Sequence, residues 1–425
     1  MSNQKKEKEL SCCCSCDHRA VGKNKGLFYF SKEIGSGFSF WASEGYKLRE
    51  IIKRYINDFQ RDICGINLVQ TPILGKTEIY QKTGHLPLYD ENIFPAMKKE
   101  GEEWILRPMT CPHHILLAKE VIMSYKQLPY LMGENSCLHR YEYSGGLLGL
   151  KRVRAMELID THIFVLPEHC EDMIKSSLEW VWTLLNKFRI RIKEIVLATR
   201  SSKQKYLISG DEWNQTEEIL FSATKEWIKS KNISVSLVRK EGEAAFYGPK
   251  IDFNAVDSSN QEFTISTVQL DSQMPKKLEF SILDANQNSI NPWIIHLGLI
   301  GTLERFIAYL LEDWGGKLPF WLLPTQISIL TVRIDSSRPE LKELIKKFSS
   351  YGFRAKLDLR DERISKKIVN AVNERIPFQI IIGEKELQNL DLINFRELGK
   401  EGEKQLSFSD FINYLSQEEI SNQVF

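Results

Sequence analysis

At 425 residues the chain is long enough for two or three domains and for a large core that needs no metal or disulfide staple. Its 57 Lys and Arg against 56 Asp and Glu leave a formal charge of +1, which excludes a chain that holds nucleic acid by bulk charge; any basic groove must be local. The 42% apolar and 27% charged content is globular, no apolar run approaches a membrane span, and the start MSNQKKEKEL lacks a signal-peptide stretch, so the chain reads as cytoplasmic.

Residues 1–16 read as a polar tail in which Cys12, Cys13, Cys14 and Cys16 crowd together. Adjacent cysteines point apart and suit a tetrahedral zinc site poorly, and His18 is the only imidazole nearby, so reduced thiols on a tail are expected. From Tyr46 to Ile63 the residues Leu48, Ile51, Ile52, Tyr55, Ile56, Phe59 and Ile63 recur at helical spacing, and INLVQTPIL after them predicts a buried strand. A strand at WILRP and a helix over 114–126 follow. The strands CLHRYEY and RVRAMELIDTHIFV, joined by the short loop SGGLLGLK, predict an antiparallel sheet.

Further helices are predicted over 168–188 and 216–229, strands between Ile251 and Leu283, and an apolar helix over 297–312. After GGKLPFWLLP the rhythm changes to strand QISILTVR, helix PELKELIKKFSS, strand FRAKLDL, helix ISKKIVNAVNE and strand FQIIIG. That alternation belongs to a parallel sheet with crossover helices, and it puts a domain boundary near Pro324.

Period-2 spacing would align Arg152, Arg154, Met156, Leu158, Asp160 and His162 on one strand face, with Arg140 and Glu142 on a face of the strand before it. Such a row is costly inside a core, and its plain reading is an exposed face laced with ion pairs; against that, apolar Leu158 and Ile159 on both faces leave the strand little open surface. Arg305 stands in the apolar stretch GLIGTLERFIAYLL and needs either an acid such as Glu304 or an anionic ligand. Cys111, His162 and His296 are of metal-ligand type, but no spacing rule joins them, and a lone Cys or His is more often a packed core residue.

The segments RPMTCPHH (107–114), HRYEYSGGLLGLKRVR (139–154), DTHIFV (160–165), AAFYGPKID (244–252), STVQLD (266–271) and IIHLGLIGTLERF (294–306) together resemble bacterial threonyl-tRNA synthetases, a family of class II aminoacyl-tRNA synthetases. The likeness runs from DHRAVGK at Asp17 to the C-terminus, and six blocks in order are far more specific than one. The resemblance implies an α+β fold: an antiparallel class II sheet with flanking helices over 17–323, then an α/β anticodon-binding domain over 324–425. It implies a threonine–tRNA ligase that joins threonine to ATP as threonyl-adenylate, releases pyrophosphate, and passes threonine to tRNA(Thr).

On the same resemblance, Cys111, His162 and His296 hold one zinc ion per chain and leave a coordination position for threonine. Asp160 accepts from the threonine hydroxyl, Tyr247 contacts the amino group and Met109 lines the pocket. Arg140 holds the carboxylate and α-phosphate, Arg152 and Arg305 the terminal phosphates, Glu142 the adenine amino group and Gln269 the nucleotide, with Mg2+ accompanying ATP. His85 assists proton movement during transfer to the tRNA ribose. Pro72 stands at a homodimer interface, and Arg375, Glu386 and Arg396 contact the anticodon. Full-length bacterial relatives carry two N-terminal modules, one of them an editing domain; with residues 1–16 alone before DHRAVGK, no editing in cis is expected. The rivals are a synthetase-like paralogue with another acceptor and a non-enzymatic tRNA-binding regulator. The C-terminal domain over 324–425 speaks against the first, and Arg140, Glu142, Arg152 and Arg305 against the second.

Overall fold

In the Ala155–Val165 strand, Ile159, Ile163 and Val165 fill one face while Met156, Leu158, Asp160, His162 and Phe164 take the other. Both faces are covered, so the polar Asp160, Thr161 and His162 are buried along with the apolar side chains. The computed structural model describes residues 17–203, 205–207, 210–257, 260–332 and 338–423, and the Cys12–Cys16 cluster lies outside them. The chain divides into two compact units, one of Met1–Ala20, Phe30–Phe40 and Arg54–Asp313, the other of Val21–Tyr29, Trp41–Lys53 and Trp314–Phe425.

The first unit is built on an eight-stranded sheet in the order Ser236–Glu241, Ile192–Thr199, Lys250–Val256, Glu262–Asp271, Trp293–Thr302, Ala155–Val165, Tyr130–His139, Asn67–Leu68. The pairings from Ile192–Thr199 across to Tyr130–His139 are antiparallel, and the outermost pairing at each edge is parallel. The helices Cys170–Lys187 and Gly210–Ser230 pack against one another and against the sheet. In the first of them Ile174, Leu178, Val181 and Leu185 form the buried stripe of an amphipathic helix. Each such side chain contributes about 1.5–3 kcal/mol by leaving water.

Several expectations are corrected. The segment 297–312 is not one helix: Trp293–Thr302 is a strand and only Leu303–Asp313 is helical. Ile294, Ile295, Gly298 and Gly301 are weak helix formers, and a slot between two strands buries both faces of the segment. INLVQTPIL is not one strand either. Asn67–Leu68 pairs with Met132–Gly133, whereas Leu74–Lys76 pairs with Trp104–Leu106 in a separate three-stranded sheet, and Pro72 between them has no N–H to donate to a ladder. The helix expected over 114–126 runs Cys111–Val121, with Pro112 tolerated in its first turn. Arg140 and Glu142 lie beyond the strand end at His139, and Arg152 and Arg154 lie before the strand start at Ala155, so strand periodicity does not position them.

The second unit holds a five-stranded sheet in the order Ala355–Asp358, Ile327–Thr331, Phe378–Ile382, Leu392–Glu397, Lys404–Ser407. The first three strands are parallel, as the alternating rhythm requires, and the last two add an antiparallel edge that the rhythm does not announce. Its core joins Ile327, Ile329 and Ile380 of the sheet to Leu341, Leu344 and Phe348 of the helix Pro339–Ser350, and to Phe411 and Leu415 near the C-terminus.

Candidate active site

Antiparallel register turns residues remote in sequence into rows across the first sheet. His162 pairs with His296, His296 with Gln269, and Gln269 with Lys250; the next row runs Asp160, Gly298, Thr267, Asp252. Of these eight, all but Asp252 line one cavity of about 740 Å³, together with Met109, Cys111, Arg140, Glu142, Arg152, Tyr247 and Arg305. A side chain at Gly298 would stand over this floor, with its Cβ 3.3 Å from Thr267 Oγ1.

Cys111 reaches the histidines from another element. The helix Cys111–Val121 lies along the same face of the sheet, packing Ile115 and Ala118 with Met132, Phe164 and Ile294, and its first residue therefore meets His162 and His296. One ligand atom from each of Cys111, His162 and His296 lies within 4.8 Å of the other two, and all three residues are buried. A thiol and two imidazoles so converged form a borderline-soft donor set that suits zinc, with three protein ligands. His296 Nε2 meets Asp271 Oδ2 at 3.1 Å, which leaves Nδ1 for the cluster. Burial, then the neighbouring His296 and His114, push the His162 imidazole well below its ordinary value, so the ring is neutral.

Tyr247 stacks on His296 with ring centroids 4.7 Å apart and donates to Gln269 Oε1 at 2.7 Å. Burial raises the Asp160 carboxyl above its usual range. His85 stands apart from the other catalytic-unit candidates. It is fully buried behind the cavity wall, with Nε2 3.5 Å from Cys111 Sγ and Nδ1 2.8 Å from Thr83 Oγ1. Burial, with His296 and Arg140 adding to it, lowers its imidazole to about 3.

At the other end of the cavity cations outnumber acids. Arg305 sits at the start of the helix Leu303–Asp313, donating from Nε to Lys151 O at 3.2 Å and from Nη1 to Thr264 O at 3.3 Å. Glu304 is not its partner: that carboxylate accepts from the Glu157 backbone N–H at 2.9 Å. Burial first, then Arg140 and Arg152, press the Arg305 guanidinium below its ordinary value. Arg140 donates to Pro108 O at 3.1 Å, and its guanidinium lies 6.0 Å from the Tyr89 ring. Arg152 pairs with Glu142 at 2.7 Å. Arg154 leaves the group and stacks 4.6 Å over Tyr141. Three guanidiniums against Glu142 make a site for a polyanion.

In the second unit Glu386 accepts from Gly383 N at 2.9 Å and from Asn394 Nδ2 at 3.3 Å. Arg396, on the same strand as Asn394, lies 3.7 Å from Glu403. Arg375 is exposed at the left-handed residue, φ 57°, that follows the helix Ile364–Asn373.

Residues 94–314 match the tRNA synthetase class II core domain (G, H, P, S and T), and residues 326–418 match an anticodon binding domain. A threonine–tRNA ligase of Mycoplasma pneumoniae is 39% identical over 398 residues, covering 93% of this chain and 69% of that protein. The chain belongs to the threonine–tRNA ligase family of class II tRNA synthetases. A second member, from Oceanobacillus iheyensis, is 36% identical over 408 residues, 96% of this chain, and the chain spans 62% of its length. A solved threonyl-tRNA synthetase RNA-binding domain from Cryptosporidium parvum superposes with a TM-score of 0.84 at 30% identity, covering 95% of this chain and 98% of that one. A putative threonyl-tRNA synthetase from Aeropyrum pernix shares the fold, with a TM-score of 0.74 at 24% identity.

For a member of this family, several residues that shape the cavity stand inside the segments AAFYGPKID and STVQLD but carry no role from the resemblance. Lys250 lines it and donates to Asp252 Oδ2 at 2.6 Å, and Thr267 accepts from Gln269 Nε2 at 3.0 Å. Neither stands out by spacing; only the register rows bring them in. Behind the metal-type cluster, His114 links His162 to Glu134, which is held by Arg107 and Thr71. The signal for that network was a second histidine beside His113, with Arg107 just past the strand Glu102–Leu106 and Glu134 within the strand Tyr130–His139.

Proposed function

We propose that the chain is a threonine–tRNA ligase. The observation that carries this reading is one cavity with two chemistries: Cys111, His162, His296 and Asp160 at one end and Arg140, Arg152 and Arg305 at the other. Zinc bound by Cys111, His162 and His296 would supply a Lewis-acidic position for the amino and hydroxyl groups of the amino acid. Asp160 then accepts from the hydroxyl, Tyr247 meets the amino group and Met109 closes the pocket around the side chain. Valine has the shape of threonine without the hydroxyl and leaves Asp160 unpaired.

The arginines align two anions. Arg140 holds the threonine carboxylate against the α-phosphate of MgATP, Arg152 and Arg305 neutralise the terminal phosphates, Glu142 accepts from the adenine amino group and Gln269 holds the nucleotide. A carboxylate oxygen attacks the α-phosphorus and pyrophosphate leaves with its electron pair, so catalysis is positioning and charge stabilisation without an enzyme nucleophile. The terminal ribose hydroxyl of tRNA(Thr) then attacks the carbonyl carbon and AMP departs. His85, neutral and behind Cys111, influences proton movement in this step from outside the cavity wall.

Residues 17–323 are read as the catalytic part and 324–425 as the anticodon-binding part, with Arg375, Glu386 and Arg396 facing the tRNA. Pro72, exposed beside Ile73 and Leu74, is read as part of a homodimer interface. A cytoplasmic location belongs to the same reading. No described helix is long and apolar enough to cross a membrane. The test is metal analysis of the purified protein beside Cys111→Ala. One zinc per chain, lost in the variant together with threonine-dependent pyrophosphate exchange, supports the reading, and a metal-free, fully active protein overturns it.

A further inference from the structure

His18 was singled out as the imidazole nearest the cysteine crowd, and it lies before the matched core domain. Its ring is buried, and both nitrogens have partners. Nε2 accepts from the Leu150 backbone N–H at 3.0 Å, which puts the ring proton on Nδ1, and Nδ1 donates to Glu312 Oε1 at 2.7 Å. Glu312 also takes Lys151 Nζ at 2.7 Å, and Lys151 meets Asp257 at 2.8 Å. Burial works against the Glu312 charge, but its bonds to His18 and Lys151 outweigh burial and hold the carboxyl below its ordinary value.

Leu150 and Lys151 belong to a tight turn. Lys151 N donates to Leu148 O at 2.9 Å, and Leu148 bridges Arg152. The turn carries Arg152 into the cavity, and its Lys151 carbonyl accepts from Arg305 Nε. Gly149 has φ +50°, and a Cβ there would stand 2.3 Å from His18 Nε2, so the ring and the turn are fitted to one another with no room for a side chain.

Asp17, His18 and Glu312 also converge like metal ligands. Arg19 already pairs with Asp17 and Lys151 with Glu312, while His18 Nε2 faces Leu150, so cations and a peptide N–H occupy the donors. We infer that His18 is a positioning residue for nucleotide binding: with Glu312 it clamps the Leu148–Arg152 turn, and through that turn it aims Arg152 and Arg305 at the phosphates. This inference rests on the ATP site proposed above.

The experiment compares the full-length protein with His18→Ala, His18→Gln and Arg305→Ala. It reads threonine-dependent pyrophosphate exchange with ATP and threonine varied separately, hydrogen exchange over residues 147–152, thermal stability and metal content. Losing the clamp should raise KM for ATP about tenfold, as expected for one lost buried hydrogen bond acting through position. KM for threonine should stay unchanged, and the turn should lose amide protection. His18→Gln, which keeps an acceptor for Leu150, should recover most of the ATP affinity.

An unchanged KM for ATP in His18→Ala overturns the inference while Arg305→Ala still fails. Equal rises in both KM values with a collapsed melting temperature, or loss of a second bound metal with His18, also overturn it. Undiminished exchange in Arg305→Ala, or no ATP-dependent exchange in the unmodified protein, instead overturns the ATP site itself.

Discussion

Nδ1 of His114 lies 2.8 Å from Nδ1 of His162, and only one of the two atoms can hold a proton. Glu134 Oε2 lies 3.2 Å from His114 Nε2, so that nitrogen donates to the carboxylate. His114 Nδ1 is then the acceptor, His162 Nδ1–H the donor, and His162 Nε2 keeps its lone pair for the cluster with Cys111 and His296. A residue that fixes a ligand tautomer in this way typically governs metal affinity by about 10- to 100-fold. His114→Ala is expected to release zinc to a competing chelator at correspondingly lower chelator concentration. Identical chelator curves for the two proteins would contradict the assignment.

Arg305 and Arg140 meet no carboxylate in the described hydrogen bonds and face the cavity together. Removing one preorganised charge from such a site costs about 3 kcal/mol of transition-state stabilisation, a hundredfold or more in rate. Both alanine variants are expected to fold, with unchanged circular dichroism, and to lose pyrophosphate exchange by at least that factor. Near-normal exchange would remove them from phosphate binding.

The sequence patterns gave the sheet as antiparallel and the second unit as alternating strands and helices because both signals are local. Rows such as His162, His296, Gln269 and Lys250 are not local: they arise when strands far apart in the chain pair in one register. The assignments of Cys111, His162 and His296 therefore came from likeness to a family, not from spacing. Period-2 reasoning rightly put Met156, Leu158, Asp160 and His162 on one strand face, and that face lines the cavity. It overreached at Arg154, since the strand begins at Ala155 and the backbone turns before it. The Trp293–Thr302 strand was misread because a short apolar run buried on both faces has no distinguishing period.

Glu134 provides the pH dependence. Burial opposes its charge, but bonds from His114, Arg107 and Thr71 overcome this and hold the carboxyl at about 2, against an ordinary 4.5. Because the folded value is depressed, the stabilisation is fully present above pH 4.5 and is lost as the pH falls through about 2. Glu134→Gln leaves Arg107 buried without its counter-charge and should cost about 3 kcal/mol at pH 7. The gap to the unmodified protein should close progressively between pH 4.5 and about 2 in urea titrations. A gap that persists at pH 2 would assign the loss to packing.

Serine and valine probe the amino-acid end. A pocket built to bond a hydroxyl rejects an analogue without one by roughly 10⁴-fold or more, whereas a missing methyl group is worth only about 10- to 200-fold. Valine is expected to be refused and serine to be charged measurably onto tRNA(Thr) by the 425-residue polypeptide. No editing activity is expected from these residues. Preformed seryl-tRNA(Thr) should therefore decay at its spontaneous rate in their presence, and rapid enzyme-dependent deacylation would place an editing site within them.

The most direct measurement is ATP–pyrophosphate exchange by the purified protein with each of the twenty amino acids in turn, followed by charging of total tRNA. Exchange stimulated by threonine, weakly by serine and not by valine, with threonine then accepted by tRNA, is the expected result. Exchange driven best by another amino acid, or threonine activation with no tRNA charged, would contradict it.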